Sequence, residues 1–148
     1  MEIRLKTLIS TSLSEINIQI VKNPTEISLP KVKFKRHSDD IILMEFLDDT
    51  TLEIEDIEDL QKAHIAIMGT KPCKVLSIIS PTFSVTKEAR EHGHSEEAHK
   101  YVKASAIVLS TMAHRILGNF YIKIQRPARP TKMFNNVENA LTWLESLD

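Results

Sequence analysis

Three of the chain's six histidines fall within "EHGHSEEAH", residues 91–99, interleaved with three glutamates. Imidazole and carboxylate groups are the ligand set of a divalent metal, so His92, His94 and His99, with Glu96 beside them, are the metal candidates. Their spacing matches neither HExxH nor the usual structural zinc patterns. Four side chains of one short polar stretch would have to be ordered around a single ion. The expectation is therefore a solvent-facing end to a short helix, with no tightly held native metal and no cofactor. Metal analysis of tag-free protein and of a His92→Ala, His94→Ala double variant checks this. A stoichiometric ion kept through dialysis and lost in the variant contradicts it.

Nucleophilic chemistry has weaker support still. Ser80, Ser84, Ser110 and His114 are present, but none lies in a G-x-S-x-G elbow. The serine of "STMAH" has a simpler use as a helix cap. Cys73, the only cysteine, opens an apolar run, which suits a small buried filler better than a reactive thiol. Carboxylates are abundant in "DDTTLEIEDIED", yet no apolar pocket singles out two of them for acid and base roles. A glycine-rich phosphate loop is absent. The chain is expected not to be an enzyme, with a small hydrolase or a metal-binding protein as the lesser alternatives.

Charge narrows the partners. Nineteen Lys and Arg against twenty Asp and Glu give a net charge of -1, which is not the field of a nucleic-acid binder. The charges are nevertheless sorted along the chain. Residues 45–59 hold eight acids and no Lys or Arg, whereas residues 115–132 hold five basic residues and no acid. Arg126, Arg129 and Lys132 head a basic C-terminal face that could meet an anionic lipid surface or a small anionic ligand. A lone cysteine and the lack of a secretory-length apolar segment suit a soluble, cytoplasmic chain.

The elements that must hold these groups follow from periodicity. At 148 residues, 42% of them apolar, one domain with a core of its own is expected. "INIQIV" alternates with the two-residue period of a strand, and "KVKFKR", "SDD" and "IILMEFL" read as a hairpin over 32–36 and 41–47. The period then becomes helical. Ile57, Leu60, His64 and Ile67 share one stripe, which Gly69 and Pro72 end. "CKVLSII" is a strand too apolar to leave much of either face in water. A short polar helix is expected over 84 to about 92, then a strand in "YVKASAIVL". The strongest helix follows, capped by Ser110, with Met112, Ile116, Leu117, Phe120, Tyr121 and Ile124 on its stripe and Gly118 packed closely inside it. "TKMF" gives a last strand, and Asn135 with Glu138 a capping box for the final helix.

Strands joined by crossover helices imply parallel pairing. The expected core includes Ile42, Met44, Leu60, Ile78, Ile107, Leu117, Phe120 and Leu141.

"KEAR" at 87–90, "KASAIVLST" at 103–111, "LGNFYIKIQRPARPTKMF" at 117–134 and the closing "ENALTWL" resemble the uncharacterised STAS-like, SpoIIAA-like proteins of Bacteroidetes. The resemblance covers about residues 32–148. It implies an α/β fold, a SpoIIAA-like (STAS-like) mixed sheet of about five strands with four helices mainly on one face, plus an N-terminal strand or arm. Residues 1–30 are accordingly expected as an N-terminal extension and 31–148 as the STAS-like domain. In anti-sigma-factor antagonists of this fold a phosphorylatable serine follows an aspartate at a strand end. The corresponding junction here, "SIISPTFSVTKEAR", carries Ser80, Thr82, Ser84, Thr86 and Arg90 but neither that aspartate nor the glycine after it. The resemblance implies a regulatory or protein-interaction domain with an unknown protein partner. A homodimer through an uncovered "INIQIV" edge is a further expectation, as is no binding of nucleic acid.

Overall fold

The computed structural model describes residues 24–93, 95–125 and 127–148, and within the long helix it leaves out the side chains of 117, 120–122, 124 and 125. Strand β1 (Glu26–Ser28) pairs antiparallel with β2 (Val32–Ser38), which forms a hairpin with β3 (Ile41–Phe46). Alternation drives the hairpin: Val32, Phe34 and Ile42 turn inward and are buried, while Lys33 and Lys35 turn out. Glu45 takes the outward position that its charge requires, opposite Lys33.

After a short strand β4 (Thr51–Leu52) and a 3-10 turn, α1 (Ile57–Met68) leads into β5 (Cys73–Ile79). Gly69 ends α1 with φ 77°, a value that favours glycine. Strand β6 (Ser84–Val85) and α2 (Lys87–His92) precede β7 (Val102–Leu109). The long helix α3 (Met112–Gln125), β8 (Thr131–Phe134) and α4 (Val137–Glu145) complete the chain.

The main sheet runs β1-β2-β3-β5-β7-β8, and β3, β5, β7 and β8 are mutually parallel. Five of these strands belong to the stretch after residue 31, and the sixth, β1, lies within residues 1–30, where the sequence suggested an additional strand or arm. Ile27 and Leu29, on and just after β1, enter the core. The "INIQIV" segment lies outside the described residues. A separate parallel pair, β4 with β6, stands beside the main sheet.

Helix α1 covers one sheet face with Phe34, Ile42, Phe46, Ala63, Ile67 and Val75. Helix α3 packs on that same face. Its Gly118 approaches Met133, whose strand row continues through Ile107 and Ser77 to Met44. A Cβ at Gly118 would stand 2.9 Å from the Met133 sulfur, so the end of that flexible side chain would have to move aside for any larger residue. Among the described helices only α4 lies on the other face, over Leu76, Ala104, Ala106 and Val108. β5 is therefore covered on both sides, as its near-continuous apolar run requires.

Ile42 is fully buried, and Met44, Leu60, Ile78 and Leu141 pack half-buried against the two cores. Ile107 is half-buried as well, and the Leu117 and Phe120 side chains lie outside the described ones. Three local boundaries differ from the sequence expectation. Residues 84–85 are strand, because Ser84 and Thr86 donate their amides to Thr50 and Leu52, so the polar helix starts at 87 under a Thr86 cap. Thr111, not Ser110, caps α3 by accepting from the His114 amide at 3.2 Å. Asn136, not Asn135, caps α4 by accepting from the Asn139 amide at 2.8 Å. Asn136→Ala is expected to cost about 1 kcal/mol in equilibrium denaturation, whereas Asn135→Ala should change little.

Candidate functional site

The parallel strands β3 and β5 end side by side, and their following loops share one set of hydrogen bonds. The Ser80 amide donates to Phe46 O at 3.3 Å, which fixes the two loops at the same height. The Ser80 hydroxyl donates to the Asp48 carboxylate. Because that proton is committed, Thr82 must donate its hydroxyl to Ser80 Oγ, 3.1 Å away, while its own oxygen accepts from the Asp49 amide at 2.8 Å. The Thr82 amide also donates to Ser80 Oγ at 3.2 Å.

One turn further out, Ser84 and Thr51 hydroxyls meet at 2.8 Å. Asp49 adopts φ 54°, the left-handed conformation that Asp tolerates better than most residues, and this turns Asp48 back toward Ser80. The result is an exposed surface of carboxylates and hydroxyls at the carboxyl ends of parallel strands, where ligands and partners of open α/β sheets bind.

The Ser80 hydroxyl thus meets an aspartate through space and not along the chain. Asp48 comes from 32 residues upstream instead of from the residue before the serine. Sequence reasoning passed over it among eight acids, although the turn-forming "DDTT" run was the available signal. Of the other junction candidates, Thr86 serves as the α2 cap, and Arg90 donates back to Val85 O at 3.3 Å.

The basic candidates do not join this surface. Arg129 lies at the opposite end of the sheet, donating to Val102 O at 2.8 Å with Glu96 3.8 Å away. Arg115 likewise donates to the carbonyls of Leu109 and Ser110. Both guanidiniums therefore hold strand ends in place. Lys132 is exposed over the Phe134 ring, and Arg126 lies outside the described residues.

The sequence expected these histidines to face solvent, but His92 and His99 line a cavity that His64 of α1 also lines, with His92 Nε2 buried; His94 lies outside the described residues. Among the described residues no group of three His, Cys, Asp or Glu side chains could hold a metal ion. His64 Nε2 instead faces the Cys73 sulfur at 3.4 Å. Burial, with the Asp40 charge adding to it, pushes the Cys73 thiol up to about 11, and burial also holds the His64 pKa below its ordinary value. At neutral pH the pair is a thiol beside a neutral imidazole, the reverse of an activated thiolate.

No helix among the described residues is long and apolar enough to cross a membrane. No curated protein matches the chain. Among solved structures, it is similar to an uncharacterised protein of the DUF3478 family with a SpoIIAA-like fold from Shewanella loihica PV-4. The two share 18% identity at a TM-score of 0.53, over 76% of this chain and 91% of that one. That likeness carries the fold, a SpoIIAA-like mixed α/β sheet, with four helices among the described residues. The family model of a domain of unknown function, DUF7793, matches residues 34–148, and the chain belongs to that family.

Proposed function

We propose that this chain is a non-enzymatic, cytoplasmic regulatory domain that docks a protein partner on the surface formed by residues 47–51 and 80–84. The Asp48–Ser80–Thr82 relay is the observation that carries this reading. It places two hydroxyls against a carboxylate at the junction that the STAS-like resemblance associates with regulation. A phosphoryl group on Ser80 or Thr82 would add about two negative charges beside Asp48 and Asp49 and break the relay. The loop surface therefore has two states, each with a different face toward a partner.

The partner should present basic groups, because Asp48, Asp49, Glu53 and Glu55 are exposed around the same edge. The non-enzymatic reading rests on the same geometry. Among the described residues no imidazole reaches Ser80 to act as a base, and the Cys73–His64 pair is in its unreactive protonation state.

A second reading, contact with anionic lipid through the basic C-terminal face, keeps Lys123 and Lys132, both exposed. Capture from extracts of the source cell separates the two. Wild type is compared with an Asp48→Lys, Thr82→Ala variant and a Lys123→Glu, Lys132→Glu variant, each also sedimented with phosphatidylserine and phosphatidylcholine liposomes. The expected result is a protein bound by wild type and by the basic-face variant, and lost by the loop variant. Salt-sensitive pelleting with phosphatidylserine alone, abolished by the two lysine changes and without a protein partner, contradicts it.

A further inference from the structure

The cavity under α1 has a floor that a mere packing defect would not have. It spans about 400 Å³ between α1, the central strands and residues 92–93 and 97–102, within the size range of small-molecule sites. Its floor is Met44, Val75, Ser77 and Ser105. Register explains why two serines lie there. Val75 pairs with Ser105 and Ser77 with Ile107, so both serines project from neighbouring central strands onto the face that α1 covers.

A sheet face beneath a helix ordinarily carries Val, Ile or Leu. Here neither serine hydroxyl has a hydrogen-bond partner among the described residues, and neither oxygen is sealed from solvent, so both open onto the cavity. Leu60 and Ile65 of α1 form an apolar wall, and Ile65 is 39% exposed, so the cavity reaches the surface. His92 lies on the facing wall, with its Nε2 buried and without a partner among the described residues. Among the described residues no Lys or Arg lines the space, and its one carboxylate is Glu97.

We infer that this cavity binds a compact, uncharged molecule with an apolar body and a hydroxyl or carbonyl group, the polar group seated on Ser77 and Ser105. An anion would meet no fixed cation there and would face Glu97. A purely apolar molecule would leave the two hydroxyls dry and unpaired, a penalty that a ligand hydroxyl removes. The site is separate from the Asp48–Ser80 surface and does not depend on its role.

The test uses the full chain, labelled with nitrogen-15 and titrated with p-cresol, with toluene and with inorganic phosphate. The expected result is saturable amide shifts centred on Ser77, Ser105 and Leu60–Ile65, with p-cresol binding about 3- to 10-fold more tightly than toluene, the value of one satisfied hydrogen bond. Ser105→Leu, which fills the floor, should abolish binding of both. The gentler Ser77→Ala, Ser105→Ala pair should bring p-cresol and toluene to equal affinity. The inference is overturned by any of four results: no saturable shifts with p-cresol up to its solubility limit, equal wild-type affinity for p-cresol and toluene, phosphate binding in the cavity, or undiminished binding by Ser105→Leu.

Discussion

Phe34→Ala is expected to lower the unfolding free energy by about 3–5 kcal/mol, measured by urea denaturation of the full chain. The ring is 2% exposed. It lies on β2 between Ile27 of β1 and Met44 of β3, and belongs to the core that α1 closes with Ala63 and Ile67. No neighbouring backbone can collapse into the space, because three paired strands hold it open. A loss below about 1 kcal/mol would contradict the packing of α1 over the hairpin. It would also unseat the cavity and the loop surface, since α1 and β3 position both.

Lys74→Met should be the second large effect, about 2–4 kcal/mol. Lys74 is 4% exposed, yet its ammonium is fully engaged. It donates to Leu144 O at 2.8 Å and Leu147 O at 2.7 Å, and reaches the Asp40 carboxylate at 3.2 Å. It therefore supplies a donor to Leu147 O, adds a second to Leu144 O, which already accepts from the Leu147 amide at 3.1 Å, and places a cation at the negative end of the helix dipole. Methionine keeps the stem packing and removes only these bonds, so the loss reports the polar contacts.

The same cluster sets an acid limit. Desolvation by burial would raise the Asp40 carboxyl, but the hydrogen bond and charge of Lys74, with Ser38 and Lys103, outweigh it and hold the pKa below its ordinary value. A carboxyl depressed in the folded state stabilises the fold above its unfolded value, and loses that contribution as pH falls through the folded value. Wild-type stability should therefore drop below about pH 4, and Lys74→Met should show a shallower acid dependence.

The alternation of "KVKFKR" and "IILMEFL", the helical stripe from Ile57 and the apolar run from Cys73 were enough to place the sheet and its crossovers. These signals are local and follow from side-chain direction alone. Caps were legible only to within a residue, because Ser110 and Thr111, or Asn135 and Asn136, are chemically near-equal and the choice falls to backbone geometry. The site was less legible for a different reason. Ser80 and Thr82 stood out, but their carboxylate partner is set by the parallel pairing of β3 with β5, a long-range contact. Ser77 and Ser105 gave no local signal at all, since a serine on a strand reads as solvent-facing until register shows which face it takes. For Arg129 the sequence showed the charge but not its bond to Val102, which depends on where the chain before β8 crosses the start of β7.

The role assigned to the Asp48–Ser80–Thr82 surface is tested most directly by photo-crosslinking in the source cell, with the crosslinker introduced at Pro81 in one chain and at Lys132 in another. Both positions are exposed and neither side chain belongs to the relay, so each reports what approaches its own end of the sheet. The account predicts one discrete protein adduct from position 81, diminished by Asp48→Lys in the same chain, and none from position 132. An adduct from position 132 alone, or no adduct from position 81 at native expression, would contradict it.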